Sequence, residues 1–148
     1  NSFFAFSKGI LHDLIPEDIE DRLIFIEDIA IEKQDDIFGM KYDLFNDNSI
    51  LIYNLPGHAA GQIGIVVKTK KDKYFLVADS CWDQRAYKSG ALPSSIVRLF
   101  FDSWKDYKES LSNVREFYNK FPEVIIVPTH CSKTTDKLVS NKIDMNVL

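Results

Sequence analysis

Two histidines and an aspartate stand just past the ends of three apolar runs. His58 follows Ile50-Leu51-Ile52-Tyr53 through Pro56-Gly57, Asp79 closes Tyr74-Phe75-Leu76-Val77-Ala78, and His130 follows Val124-Ile125-Ile126-Val127 through Pro128-Thr129. Polar side chains that leave neighbouring strands at the same end can converge on one edge of a sheet. Two imidazoles and a carboxylate are donors that zinc, iron and manganese accept, and a metal held this way serves hydrolysis by activating water. Each residue also has an ordinary reading. A histidine after a strand is commonly a hydrogen-bonded loop residue, and Asp79 before Ser80 can cap a turn. His12, between Leu11 and Asp13, lacks this context and reads as a surface or cap residue.

The elements that must position these residues are legible in part. Pro16 before Glu17 and Asp18 marks a helix start, and that helix is expected to end near Arg22. Leu23 to Ile31 reads as a strand or a cap loop, and Asn46-Asp47-Asn48-Ser49 as a turn. Ile50 to Tyr53 is a short strand. Ile63 to Lys68 and Tyr74 to Ala78 form a hairpin over the turn Lys70 to Lys73. Ile96, Phe100, Trp104, Tyr107, Leu111, Val114 and Phe117 recur at spacings of three and four, which predicts one long helix laying an aromatic stripe on a sheet. Val124 to Val127, between Pro122 and Pro128, is a fully apolar run, as expected for a buried strand. The whole reads as an α/β layered domain.

At 148 residues and 45% hydrophobic, the chain can bury a core. Lys68, Lys70, Lys71 and Lys73 are interrupted by Asp72 and sit in a turn, and the net charge is −4. This excludes a nucleic-acid footprint. No apolar stretch reaches a membrane span and no signal peptide is visible. Two cysteines, Cys81 and Cys131, are too few for a disulfide framework and read as free thiols, consistent with a cytoplasmic protein. The chain opens on Asn1-Ser2-Phe3-Phe4 with no initiator Met, which suits a portion of a longer or processed protein.

Leu55-Pro56-Gly57-His58-Ala59-Ala60-Gly61-Gln62-Ile63-Gly64 resembles the PGH-x-x-G motif of metallo-β-lactamase-fold hydrolases. Phe75 to Asp79 is similar to their strand ending in a metal-bridging aspartate, and Val124 to His130 to their last strand ending in a metal-binding histidine. The stretch Tyr42 to Ile50 resembles the lead-in of the branch containing acyl-homoserine lactone lactonases. The order of the three motifs and their gaps of 21 and 51 residues agree with the family, over roughly residues 40 to 132. The resemblance implies the C-terminal half of an αββα sandwich, with a mixed, mostly antiparallel sheet and covering helices. It implies two divalent metal ions, zinc first and iron or manganese as alternatives, with His58 on one, His130 on the other and Asp79 between them. Gly57 and Gly61 are then expected to turn the backbone tightly beside the metals.

The departures define what is missing. The family's His-x-His-x-Asp-His cluster is absent, and the sequence has three histidines in all. The lactonase branch often carries a Tyr three residues after the bridging Asp, where this chain has Trp82. Trp82, Tyr87 and, at lower weight, Arg85 are expected to line a substrate loop, although Trp82 suits core packing equally well. The implied protein is a metal-dependent hydrolase of a small molecule, with this chain incomplete by itself and paired with a missing N-terminal half or with a second copy. The alternative is a non-catalytic binding scaffold on the same fold.

Overall fold

The computed structural model describes residues 14–145, with side chains described through residue 140. His12 and the opening Asn1-Ser2-Phe3-Phe4 lie outside the described residues. Six strands form one sheet in sequential order. They are β1 (Ile31–Asp35), β2 (Gly39–Asp43), β3 (Ile50–Asn54), β4 (Ile63–Lys68), β5 (Lys73–Leu76) and β6 (Val124–Val127). Strands β1 to β5 pair antiparallel, each with the next. Strand β6 returns parallel to β5, Phe75 opposite Ile126, after a helical crossover.

That crossover contains α3 (Gln84–Ser89) and α4 (Trp104–Lys120). The last helix, α5 (Ser132–Met145), follows β6, and two four-residue helices, α1 (Ile19–Arg22) and α2 (Ile26–Ile29), precede β1. Helix α4 buries Tyr107, Leu111, Val114 and Phe117, its three-and-four stripe. This stripe meets Tyr53, Val66, Phe75, Val124 and Ile126, which share one face of the sheet, in the main core. Phe38, Tyr53, Phe75 and Phe117 interlock there with ring centroids 4.7 to 6.3 Å apart. Gly64 is required in that layer, since a Cβ would come within 2.4 Å of Leu55 Cδ1 and 2.8 Å of Phe75 Cε2.

Four sequence expectations need correction. The helix expected from Ile96 begins only at Trp104. Ser103 caps it by accepting from Asp106 N, and the backbone N–H groups of Asp102 and Ser103 donate to His58 O and Gly57 O. Those bonds hold the preceding chain outside the helix, and Phe100 stands exposed on a 3-10 turn, Val97–Phe100, with Ile96 exposed just before it. The strand expected through Ala78 stops at Leu76, because Ala78 adopts φ +47° and opens the 3-10 turn Ala78–Ser80. Leu23 to Ile31 is neither strand nor loop throughout, for it contains α2 and gives way to β1 at Ile31. Strand β6 is buried on alternate residues only, with Ile125 and Val127 half-exposed on the face away from α4. Among the described residues, no helix is long and apolar enough to cross a membrane.

Candidate metal centre

The three strand-end residues converge. His58 Nε2 lies 3.6 Å from Asp79 Oδ2, and His130 Nε2 lies 3.2 Å from Asp79 Oδ1. Each imidazole thus faces its own oxygen of one carboxylate. The His58 and Asp79 side chains are about one-third exposed, and that of His130 is 63% exposed, so the group opens to solvent on the His130 side.

The loop that carries His58 is held from both sides. Leu55 N donates to Gln62 O, and Gln62 Nε2 to Leu55 O, which closes the loop across its neck. Ser110 of α4 donates from its hydroxyl to Pro56 O at 2.7 Å. Gly57 sits at φ +130° against the start of α4, where an added Cβ would fall 2.1 Å from Tyr107 N. Only glycine permits both that dihedral and that approach. Gly61 differs from the expectation: its φ is not positive, and an added Cβ there meets nothing within 4 Å.

Asp79 is aimed by the left-handed Ala78, a conformation that costs a residue with a Cβ about 1 kcal/mol or more. Val77 N still donates to Val127 O, so the turn is tied to the end of β6 and hence to the His130 loop. Behind Asp79, the Ser80 hydroxyl bonds back to Val77 O.

An aromatic wall stands over the group. Phe101 packs edge-on to His58 at 5.2 Å and stacks with Trp82 at 6.0 Å, and Trp82 meets His130 edge-on at 5.8 Å. Tyr107 backs Phe101 at 4.4 Å. Burial, with the Cys81 and Asp79 charges adding to it, pushes the Tyr107 phenol up to about 12. Trp82 is therefore both core packing and site wall. Phe101 was absent from the sequence reading, since Phe100 occupied the apparent helical stripe and only the Gly57 and His58 backbone contacts turn Phe101 inward.

Tyr87 and Arg85 belong to α3 rather than to a loop. The helix is announced in the sequence by its caps, Asp83 accepting from Arg85 N and Gly90 at φ +73°. Tyr87 is buried with its ring 4.9 Å from Tyr118, and the structure does not bring it against the two histidines. Arg85 is exposed and grips Asp83 at 2.6 Å. Both cysteines are buried free thiols. Burial raises the Cys81 thiol to about 12. Burial also acts upward on Cys131, but hydrogen bonds from Thr134 and from the Gln84 and Thr134 backbones outweigh it and leave that thiol below its ordinary value.

The donors suit a divalent metal in kind. Among the described residues, three buried side-chain polar atoms lack a hydrogen-bond partner, and all three are here: His58 Nδ1, Asp79 Oδ1 and Trp82 Nε1. His130 approaches Asp79 Oδ1 without the alignment of a hydrogen bond. Unpartnered buried polar atoms are costly, and their clustering points to a ligand that satisfies them. In arrangement the set is short, for among the described residues no group of three or more His, Cys, Asp or Glu is disposed to hold a metal ion unaided.

No family model matches the chain, and no curated protein sequence matches it. Solved structures do. An N-acyl homoserine lactone hydrolase with the product N-hexanoyl-L-homoserine bound at its catalytic metal centre superposes with a TM-score of 0.53 at 14% identity, over 66% of this chain and 36% of that one. A mutant of AiiA from B. thuringiensis with N-decanoyl-L-homoserine bound at its active site gives the same values. The chain thus has a mixed α/β architecture of the metallo-β-lactamase fold and spans about a third of the length of those two structures.

Proposed function

We propose that this chain supplies His58, Asp79 and His130 to a divalent-metal hydrolase centre and forms the C-terminal half of an αββα sandwich. The observation that carries this reading is the placement of the two imidazoles on opposite oxygens of Asp79, beside the orphaned His58 Nδ1 and Asp79 Oδ1. Asp79, whose carboxylate offers two oxygens, would be the residue able to serve both sides of such a centre. Zinc is the first candidate, with iron and manganese also suited to imidazole and carboxylate. When bound, divalent ions lower the pKa of water toward neutrality and polarise the scissile bond.

The chain's own residues fix the geometry. His58 is positioned by Gly57 and Ser110, Asp79 by Ala78, and His130 by the end of β6. Phe101 and Trp82 keep water from one side, and the open His130 side admits substrate. Trp82 walls that entry, and Tyr87 lines a separate cleft beside α3. The reaction class is hydrolysis of an ester, lactone, thioester or similar bond. Assay of the complete protein against a panel of these, with and without chelator, tests it. Chelator-sensitive hydrolysis lost in Asp79→Asn supports the reading, and hydrolysis indifferent to both sinks it.

A second reading, a non-catalytic scaffold, draws on the absence among the described residues of a complete ligand group. It predicts no metal uptake at all. Either way the sheet needs a cover. Ile65, Val67, Leu76, Ile125 and Val127 lie on the face opposite α4 and are half-buried or exposed. The remaining part of a larger sandwich, or a second copy of the chain, is proposed to cover them.

A further inference from the structure

Two clefts beside the ligand group share a wall. One, of about 210 Å³, reaches His130 and is bounded by Gln84, Arg85 and Lys133. The other, of about 240 Å³, also uses Gln84 and Lys133, and is completed by Tyr87, Tyr118, Lys88 and Lys137. Strand β6 floors the second cleft with Val124, Ile125 and Ile126, and its end leads to His130. A path thus runs along β6 from the paired tyrosine rings to the exposed histidine.

The charge along this path is opposite to that of the chain. Lys88, Lys133, Lys137 and Arg85 line it, against one carboxylate, Asp83, which the Arg85 guanidinium already holds at 2.6 Å. The net charge of the whole sequence is −4, so the path is a local cationic trough in an acidic chain. Lys88 lies 5.9 Å over the Tyr87 ring and donates to Gln84 Oε1, which keeps its ammonium at the cleft rim. Cations at a rim above apolar and aromatic walls select a ligand with an anionic group and a flat apolar body. Each cleft is smaller than the roughly 300 Å³ at which drug-sized pockets begin, so the fitting body is a single ring rather than a polymer.

We infer that the substrate of this centre is a small aryl phosphate, whose ring lies against Tyr87 and Tyr118 and whose phosphate meets the lysines of the rim, Lys133 on the side of His130. The inference rests on the hydrolase reading for its reacting end, while the cleft itself stands on its own residues. It also gives Tyr87 its place, one cleft away from the ligands rather than against them.

The test uses phenyl phosphate and neutral phenol as probes of the metal-free protein, followed by NMR and calorimetry. Phenyl phosphate is expected to shift the Tyr87, Tyr118, Gln84 and Lys133 signals, to weaken with added salt, and to bind more tightly than phenol. Lys133→Gln with Lys137→Gln should weaken it about fivefold, and Lys70→Gln, in the β4–β5 turn, should leave it unchanged. Equal binding of phenol, shifts mapping elsewhere, or indifference to the paired lysine substitutions overturns the cleft. With Mn²⁺ added to the complete protein, the phosphorus signal of bound phenyl phosphate should broaden in the wild type and not in Asp79→Asn. Binding in the cleft with no such broadening, in protein shown to take up Mn²⁺, overturns its link to the reacting centre. Failure to take up Mn²⁺ counts against the hydrolase reading and leaves the metal-free cleft result intact.

Discussion

At the scale of single residues, the clearest costs are borne by Gly57 and Asp43. An Ala at Gly57 meets the Tyr107 backbone at 2.1 Å and must hold φ +130°. Gly57→Ala is expected to destabilise by about 3 kcal/mol or more, read as a loss of chemical-denaturation midpoint. Gly61→Ala, in open space, should be near neutral. Asp43 is fully buried and bonded to Lys33 at 2.6 Å and to Asn48 N. The Lys33 hydrogen bond, with help from Asn48, holds its carboxyl below the ordinary value against the opposing effect of burial. A folded pKa below the unfolded one stabilises above the unfolded pKa and is lost as pH falls through the folded one. Stability should therefore decline below about pH 4, and Asp43→Asn, at a cost of about 2 kcal/mol, should flatten that decline in acid titrations followed by circular dichroism. The sequence pointed to His58, Asp79 and His130 because each closes a recognisable apolar run. Phe101 and Asp43 carried no such mark, since their roles come from partners far along the chain or across a hairpin.

At the scale of elements, α4 is the part that organises the centre. Its cap, Ser103, accepts from Asp106 N while its own N–H donates to Gly57 O. Ser103→Ala removes the side-chain cap and is expected to cost about 1 kcal/mol, with the larger signal at His58, whose NMR line should broaden as the loop loosens. This joint also explains why the helix reading from Ile96 overran. Spacing reports which residues could share a face, but a cap tied to another loop decides where the helix begins. Strands β3, β4 and β5 were legible from β-branched and aromatic runs and turn residues. Strands β1 and β2 were missed because their hairpin signal is polar, with Asp35 accepting from Ile37 N and Phe38 N before Gly39 at φ +75°. Helix α3 was hidden for a similar reason: six residues hold too little periodicity, and only its caps announce it.

At the scale of the whole molecule, both faces of the central sheet are apolar and α4 packs on one. The fold class was readable from strands followed by a crossover helix and a final strand, and the solved structures of the same fold agree with it. The extent of the fold was not readable from composition, because a half-sandwich and a small complete domain share the same apolar fraction. Light scattering of the chain alone is expected to show a mass that rises with concentration, and a strictly monomeric species at high concentration counts against the uncovered face. The central claim is a metal centre built on Asp79. Titration of the complete protein, freed of metal, with Co²⁺, read by its visible absorption and by elemental analysis after desalting, tests it most directly. Stoichiometric uptake, weakened by at least an order of magnitude in His58→Ala and abolished in Asp79→Asn with the fold intact, is the predicted result. Absence of uptake, or uptake unchanged by both substitutions, would contradict it.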